Sequence, residues 1–401
     1  MEAYLLEFGN LLLRWLHVIA AIAWIGESIY FVMLDNSLRP PQSAEDKKRG
    51  VFGEMWEVHG GGFYHNQKYL TTPEKMPDHL HWAFLKAYTT WLSGFAIFAS
   101  MYLAKPTFYL VNPGSDWAWV ASLGGWQAGV VAVAFLAFGW VIYDQLCRRI
   151  SPTMERDGAL SVAVAVMMVA VSYLACQIFP GRAAFLITGA VMATCMSANV
   201  FFWIIPGQRR MVRALKAGEQ PNALDGKRGK QRSVHNTYFT LPVVLLMLSN
   251  HYSFIYSGPH AWIILSLFIF SGAAIRQYFV LRHSGSHKPA YPIAGVALLV
   301  IIAFLAAPKP SPMASADSSD AVTTAQVMQI MESRCVQCHA AKPTQPGFPA
   351  APAGMALETE QQLLAHPDLI KQVIANNYMP LGNLTRMTPE ERSLIAAWPG
   401  R

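Results

Sequence analysis

The chain alternates long apolar runs with short polar connections. Crossing a hydrocarbon core of roughly 30 Å takes about 20 residues of helix. Runs of that order occur near 8–34, 83–104, 117–143, 159–180, 183–205, 236–256, 260–282 and 290–307. The pattern predicts eight transmembrane helices over residues 1–307. Residues 308–324 have no apolar period and are rich in Pro, Ser and Ala, the composition of a flexible tether. From 325 to 401 helical spacing returns: Leu363, Leu364, Ile370, Val373, Ile374, Leu394, Ile395 and Trp398 form faces for a small core. Thr388, Pro389 and Glu391 read as N-cap, N1 and N3 of a capped helix. The predicted fold is all-α, a polytopic eight-helix transmembrane bundle followed by a small soluble domain.

Composition supports the membrane reading. With 53% hydrophobic and only 14% charged residues, a 401-residue chain lacks the charge to solvate a globular surface. The net charge of +7 does not point to nucleic acid, because Lys and Arg gather in the connections. They follow the first, third, fifth and seventh runs, as Lys47, Lys48 and Arg49, as Arg148 and Arg149, and from Arg209 and Arg210 through Arg232. The positive-inside rule makes these connections cytoplasmic and puts both termini outside. The first run has neither a basic leader nor a small-residue cleavage site, so it is expected to remain as an anchor in membrane lipid.

Cys147, Cys176 and Cys195 lie in or beside apolar runs, which leaves Cys335-x-x-Cys338-His339. This is the pattern to which a c-type haem is covalently attached. Two thioether bonds need cysteines one helical turn apart, and the adjacent His339 then faces the iron. Met379, stiffened by Pro380, is the expected second axial ligand. It is preferred to Met355 and Met387 because a loop methionine meets the haem without competing for helix packing. A thioether ligand raises the iron potential, so residues 325–401 read as a class I-like cytochrome c domain that accepts electrons. In bacteria c-type haem is attached outside the cytoplasmic membrane, in agreement with the charge asymmetry.

Ionisable residues inside a span are costly and invite a functional reading. The first span carries Arg14, His17 and Glu27; the sixth begins at His235 and ends near His251. The first cytoplasmic connection holds His59, three glycines, His65 and Lys68, then His79 and His81. No cysteine accompanies these histidines and their spacing matches no common zinc pattern. A haem b ligated by His17 and His251, both in the outer halves of their spans, is one use. Polar residues satisfying one another is the plainer one.

The segments RWLHVIAAIAWIGESIYF, WEVHGGGFYHNQKY, HLHW, HNTYFTLPV and SNHY, with the terminal CxxCH domain, resemble the bacterial membrane-bound urate oxidases of the cytochrome c type (PuuD type) over essentially the whole chain. The resemblance implies oxidation of urate to 5-hydroxyisourate, with electrons passing to the cytochrome and no hydrogen peroxide released. It also implies an inner-membrane location, a periplasmic cytochrome domain, and a soluble cytochrome c or terminal oxidase as acceptor. Urate is a planar purine anion that needs a base, a cation and orienting donors. For a cytoplasmic site His59, His65 and His235 are candidate bases, Lys68 a cation, and Tyr64, Asn66, Asn236, Thr237 and Tyr238 orienting groups. Two readings compete: a quinol:cytochrome c oxidoreductase and a membrane-anchored electron-transfer cytochrome. An anchor needs one span rather than eight, and a hydrophilic histidine connection suits a soluble substrate better than a quinol.

The predicted topology has a direct test. A reporter active only in the periplasm is expected to work when fused after residue 310 and to fail near residues 45 and 220; the opposite pattern inverts the protein.

Overall fold

Each of the eight apolar runs forms helix in the computed structural model, which describes residues 2–70, 73, 76–307, 322–345, 348, 350–375 and 378–400. The long helices are α1 (Glu2–Ser37), α2 (Leu85–Phe98), α3 (Gly125–Ile150), α4 (Asp157–Ile178), α5 (Gly181–Ala198), α6 (Ala223–Leu248), α7 (Ala261–His283) and α8 (Ala290–Ala306). Five are long and apolar enough to cross a membrane: α1, α3, α4, α7, and α5 with its continuation to Lys216. The others fall short for identifiable reasons. α8 is apolar but has 17 residues, α2 has 14, and α6 carries Lys227, Arg228, Lys230 and Arg232 in its first turns. Most of the expected tether, residues 308–321, lies outside the described residues.

α5 is the central helix. The most apolar window from Gly181 to Lys216 is 67% buried, whereas that of α1 is 11% buried. α5 packs against α3, α4 and α6, and α6 and α4 in turn pack on α7. Small residues at helix–helix contacts let backbones approach closely. A Cβ on Gly139 of α3 would stand 2.6 Å from Val191 Cγ1 of α5, and one on Gly189 of α5 would stand 2.9 Å from Leu246 Cβ of α6. These glycines let three backbones approach where larger residues would force them apart.

A buried ion pair ties the same three helices together. Arg232 of α6, 2% exposed, donates to Asp144 Oδ1 of α3 at 2.8 Å, and Asp144 is 3% exposed. Trp203 Nε1 donates to the same oxygen at 2.7 Å, and Arg148 reaches the other carboxylate oxygen at 2.6 Å. The Arg232 guanidinium lies over the rings of Trp203 and Tyr143, 4.9 and 5.2 Å from their centroids. α5 passes into a π-helical turn, Asn199–Ile204, that contains Trp203. π-turns inside α-helices are rare and gather at functional sites.

The connection after α1, expected as a histidine loop, is an antiparallel hairpin of β1 (Val51–His59) and β2 (Gly62–Tyr69), a departure from the all-α expectation. Its turn is Gly60-Gly61, both with positive φ (60° and 82°), the two-residue connection that suits strand twist. Asp35 near the end of α1 anchors the hairpin, accepting from Lys68 Nζ of β2 at 2.6 Å and from Lys230 Nζ of α6 at 2.8 Å. Tyr30 of α1 also donates to Glu57 of β1.

The C-terminal residues build a second core from Val327, Ile330, Met331, Cys335, Leu357, Leu363, Ile370, Ile374, Met387, Ile395 and Trp398. Its helices are α9 (Thr324–Arg334), α10 (Glu360–Leu364), α11 (Pro367–Ala375) and α12 (Pro389–Ala397). The Thr388–Glu391 capping box opens α12, and Arg334 of α9 forks onto Glu391 at 2.9 and 3.0 Å.

Breaking a buried pair strands a charge, whereas replacing both partners by apolar groups is often tolerated. Arg232→Met is therefore expected to cost about 3 kcal/mol, and the double variant R232M/D144L less than the sum of the singles. Denaturant unfolding in detergent micelles measures both; additive losses contradict the coupling.

Candidate functional site

α6 presents one face to a cavity of about 400 Å³. Lys227, Lys230, Gln231, Val234, His235 and Tyr238 recur at the three- and four-residue spacing of a single helix face. Thr153, Met154, Glu155, Asp157 and Ser161 close the cavity from the α3–α4 connection and the start of α4. Gln231 Nε2 donates to Asp157 Oδ1 at 2.7 Å and Ser151 Oγ donates to the same oxygen at 2.6 Å, fixing that wall.

Behind the cavity, His235 belongs to a chain of buried polar groups. Its Nδ1 lies 2.7 Å from Tyr143 Oη. Asn199 Nδ2 donates to Tyr143 Oη at 3.0 Å and to Asn236 Oδ1 at 2.9 Å, while Asn236 Nδ2 donates to Met196 O at 3.1 Å. Asn199 opens the π-turn and Arg232 sits one helical turn before His235, so the ion pair and the histidine share one framework. Fully satisfied buried polar networks rigidify what they hold. Pro242, inside α6, has no N–H to give the carbonyl of Tyr238 one turn back, which loosens the helix ladder beside the cavity.

The sequence-predicted residues separate in the structure. His235 and Tyr238 line the cavity, Asn236 belongs to the network behind it, and Thr237 donates to Ser233 O of its own helix at 3.1 Å. Tyr238 gives its hydroxyl to Gln277 of α7. His65 stands on the hairpin, 2.9 Å from Glu54 Oε2 and stacked on Trp56 at 4.1 Å. Asn66 donates to Glu57 at 2.8 Å, and Tyr64 is exposed. Lys68 is engaged by Asp35, and His59 lies exposed beside the turn. Among the described residues no hydrogen bond joins His65 to His235; the link between hairpin and cavity runs through Asp35 and Lys230. Tyr143, Asp144, Asn199 and Arg232 were missed from sequence, although Asp144 and Arg232 are ionisable residues at the ends of apolar runs.

The C-terminal residues fit a covalent haem c. Cys335 is buried and Cys338 half-buried, and both are free thiols. Burial pushes the Cys335 thiol up to about 12 and raises that of Cys338. His339 Nδ1 donates to Met355 O at 2.9 Å, which fixes the ring and leaves Nε2 free to ligate. Met379 packs against the same core, its N–H donated to Val373 O at 2.9 Å and its carbonyl held by Arg392 at 2.9 Å.

The two histidines considered for haem b sit in different settings. His17 Nδ1 donates to Thr90 O of α2 at 2.9 Å and lies 3.1 Å from Ser93 Oγ, again leaving Nε2 free. Gly94 admits the ring, since a Cβ there would stand 2.8 Å from His17 Cε1. His251 is exposed in a 3₁₀ turn beyond α6. The other polar groups of α1 are mutually satisfied: Glu27 pairs with Lys86, and Arg14 with Asn10 at 2.7 Å. Among the described residues no cluster of three or more His, Cys, Asp or Glu is arranged to hold a metal ion.

Residues 3–307 match the family described as urate oxidase, N-terminal. Neither a curated protein nor a solved structure matches the chain significantly. The matched segment contains the hairpin, the cavity and the buried network, and stops short of the CxxCH motif. By this match over most of its length, the chain belongs to the urate oxidase N-terminal family and is a urate oxidase-related, mostly helical protein with five apolar candidate spans.

Proposed function

We propose that this chain is a membrane-embedded urate oxidase that hydroxylates urate to 5-hydroxyisourate. In this reading it spans the inner membrane eight times, and its own periplasmic cytochrome c domain takes the electrons, so no hydrogen peroxide is released. The observation that carries the reading is the cavity lined by His235, inside the segment that matches the urate oxidase family. Urate and water give 5-hydroxyisourate, two protons and two electrons. The chain's residues have to hold a planar anion, receive protons and keep water placed.

Lys227 and Lys230 supply positive charge at the cavity, while Gln231 and Tyr238 offer hydrogen bonds to a heterocycle. His235 receives a proton at Nε2 when its Nδ1–H points at Tyr143 Oη, an oxygen that also accepts from Asn199. The Tyr143–Asn199–Asn236 chain holds the ring orientation. Glu54 and His65 form a carboxylate–imidazole pair on the hairpin, stacked on Trp56. Haem c, when bound through Cys335, Cys338, His339 and Met379, supplies a high-potential one-electron acceptor. Because each substrate gives two electrons, the acceptor must be emptied twice by a soluble cytochrome c or a terminal oxidase. No step is assigned to a haem b.

His235→Ala is expected to lower urate-driven reduction of haem c by about 100-fold or more, the usual loss on removing a general base, while its spectrum and reduction by dithionite stay unchanged. His65→Ala, measured beside it, reports whether the hairpin pair shares the chemistry. The measurement is anaerobic haem c reduction by urate, normalised to covalent haem. A normal rate in His235→Ala removes the cavity from the reaction; lower protein yield with unchanged rate makes the histidine structural.

A further inference from the structure

α7 carries a second buried arginine, and its environment differs from that of the first. Arg276 is 3% exposed, and its Nε has no hydrogen-bond partner. Among the described residues no carboxylate forms an ion pair with it. Arg232, equally buried, has Asp144 at 2.8 Å and two aromatic faces. Four other carboxylates already have partners. Asp35 holds Lys68 and Lys230, Asp144 holds Arg232 and Arg148, Asp225 holds Arg210, and Asp157 accepts from Gln231 and Ser151. A guanidinium cannot shed its proton to escape burial. An unpaired one inside a membrane helix is expensive and is kept where an anion visits it.

Its position favours the cavity side. Gln277, the next residue, accepts the hydroxyl of Tyr238, and Tyr238 lines the cavity beside His235. A Cβ on Gly272, one turn before Arg276, would stand 2.8 Å from Pro242 Cδ, one turn after Tyr238, so Arg276 and Tyr238 share the seam between α6 and α7, with Arg276 outside the cavity lining itself.

We propose that Arg276 is the anion-holding group of a ligand site that opens from the cavity past Tyr238. Its ligand is a planar, singly charged heterocycle, with the guanidinium fork on a carbonyl–nitrogen edge and Gln277 beside it. The identity of that ligand as urate rests on the function proposed above; the existence of the anion site does not. Lys227 and Lys230 line the cavity together with Glu155 and Asp157, so the lining carries no net charge and the guanidinium of Arg276 is what favours an anion.

The test uses purified, full-length holoprotein reduced with dithionite, which blocks turnover. Urate affinity is measured by calorimetry for wild type, Arg276→Gln and Arg276→Lys, together with melting temperatures with and without urate and with and without inorganic phosphate. Loss of a charge-assisted contact is expected to weaken urate binding about 10- to 100-fold in Arg276→Gln, with part of the affinity kept in Arg276→Lys. The ligand-free melting temperature should not fall, because the variant removes an uncompensated charge. Wild-type urate affinity in Arg276→Gln overturns the proposal and leaves the urate reading standing. Phosphate stabilisation that Arg276→Gln abolishes, in a protein that ignores urate, supports the anion site and sinks the urate reading. A wild type stabilised by neither anion overturns the proposal, as does a variant that melts earlier yet binds urate normally.

Discussion

The buried Arg232–Asp144 pair is the constraint around which the membrane part is arranged. A guanidinium and a carboxylate this far from water are tolerated only when each finds its full set of partners. Meeting that condition fixes α3, α6 and the π-turn of α5 relative to one another. One helical turn beyond Arg232 the same geometry delivers His235 to Tyr143 and to the cavity. The π-turn has a clear use here: it places Asn199 within reach of Tyr143, Asn236 and Arg232 at once.

The hairpin depends on that framework at one remove. Asp35 receives one lysine from β2 and one from α6, so a single carboxylate couples the Glu54–His65–Trp56 group of the hairpin to the cavity wall. At the other end of the chain, the separate C-terminal core fixes His339 through Met355 and Met379 through Arg392. The His339 ring and the Met379 backbone are therefore both held by hydrogen bonds.

Much of this was legible in the sequence. The eight apolar runs fall on helices, in which a long apolar segment satisfies its own backbone hydrogen bonds. The CxxCH motif and the Thr388–Glu391 box are local patterns, and the box appears in the structure as read. The hairpin is hard to read from sequence, because VFGEMWEVH and GFYHNQKY show no clean two-residue alternation and three glycines suit a loop as well as a turn. Pairings across helices were out of reach, since helix rotation decides which polar groups meet. Tyr143 and Asn199 look like ordinary span residues until α3 and α5 are placed beside α6. Arg276 was visible as a charge inside the seventh run; only its burial without a partner gives it meaning.

The central claim is that urate oxidation in the membrane part delivers electrons to the C-terminal haem. Anaerobic titration of the fully oxidised, purified protein with urate tests it most directly, following the reduced haem c band and the urate consumed. The account predicts that urate reduces the haem with two haems reduced for each urate converted and no peroxide formed. A haem that stays oxidised with urate yet is reduced by a quinol or by dithionite would contradict it.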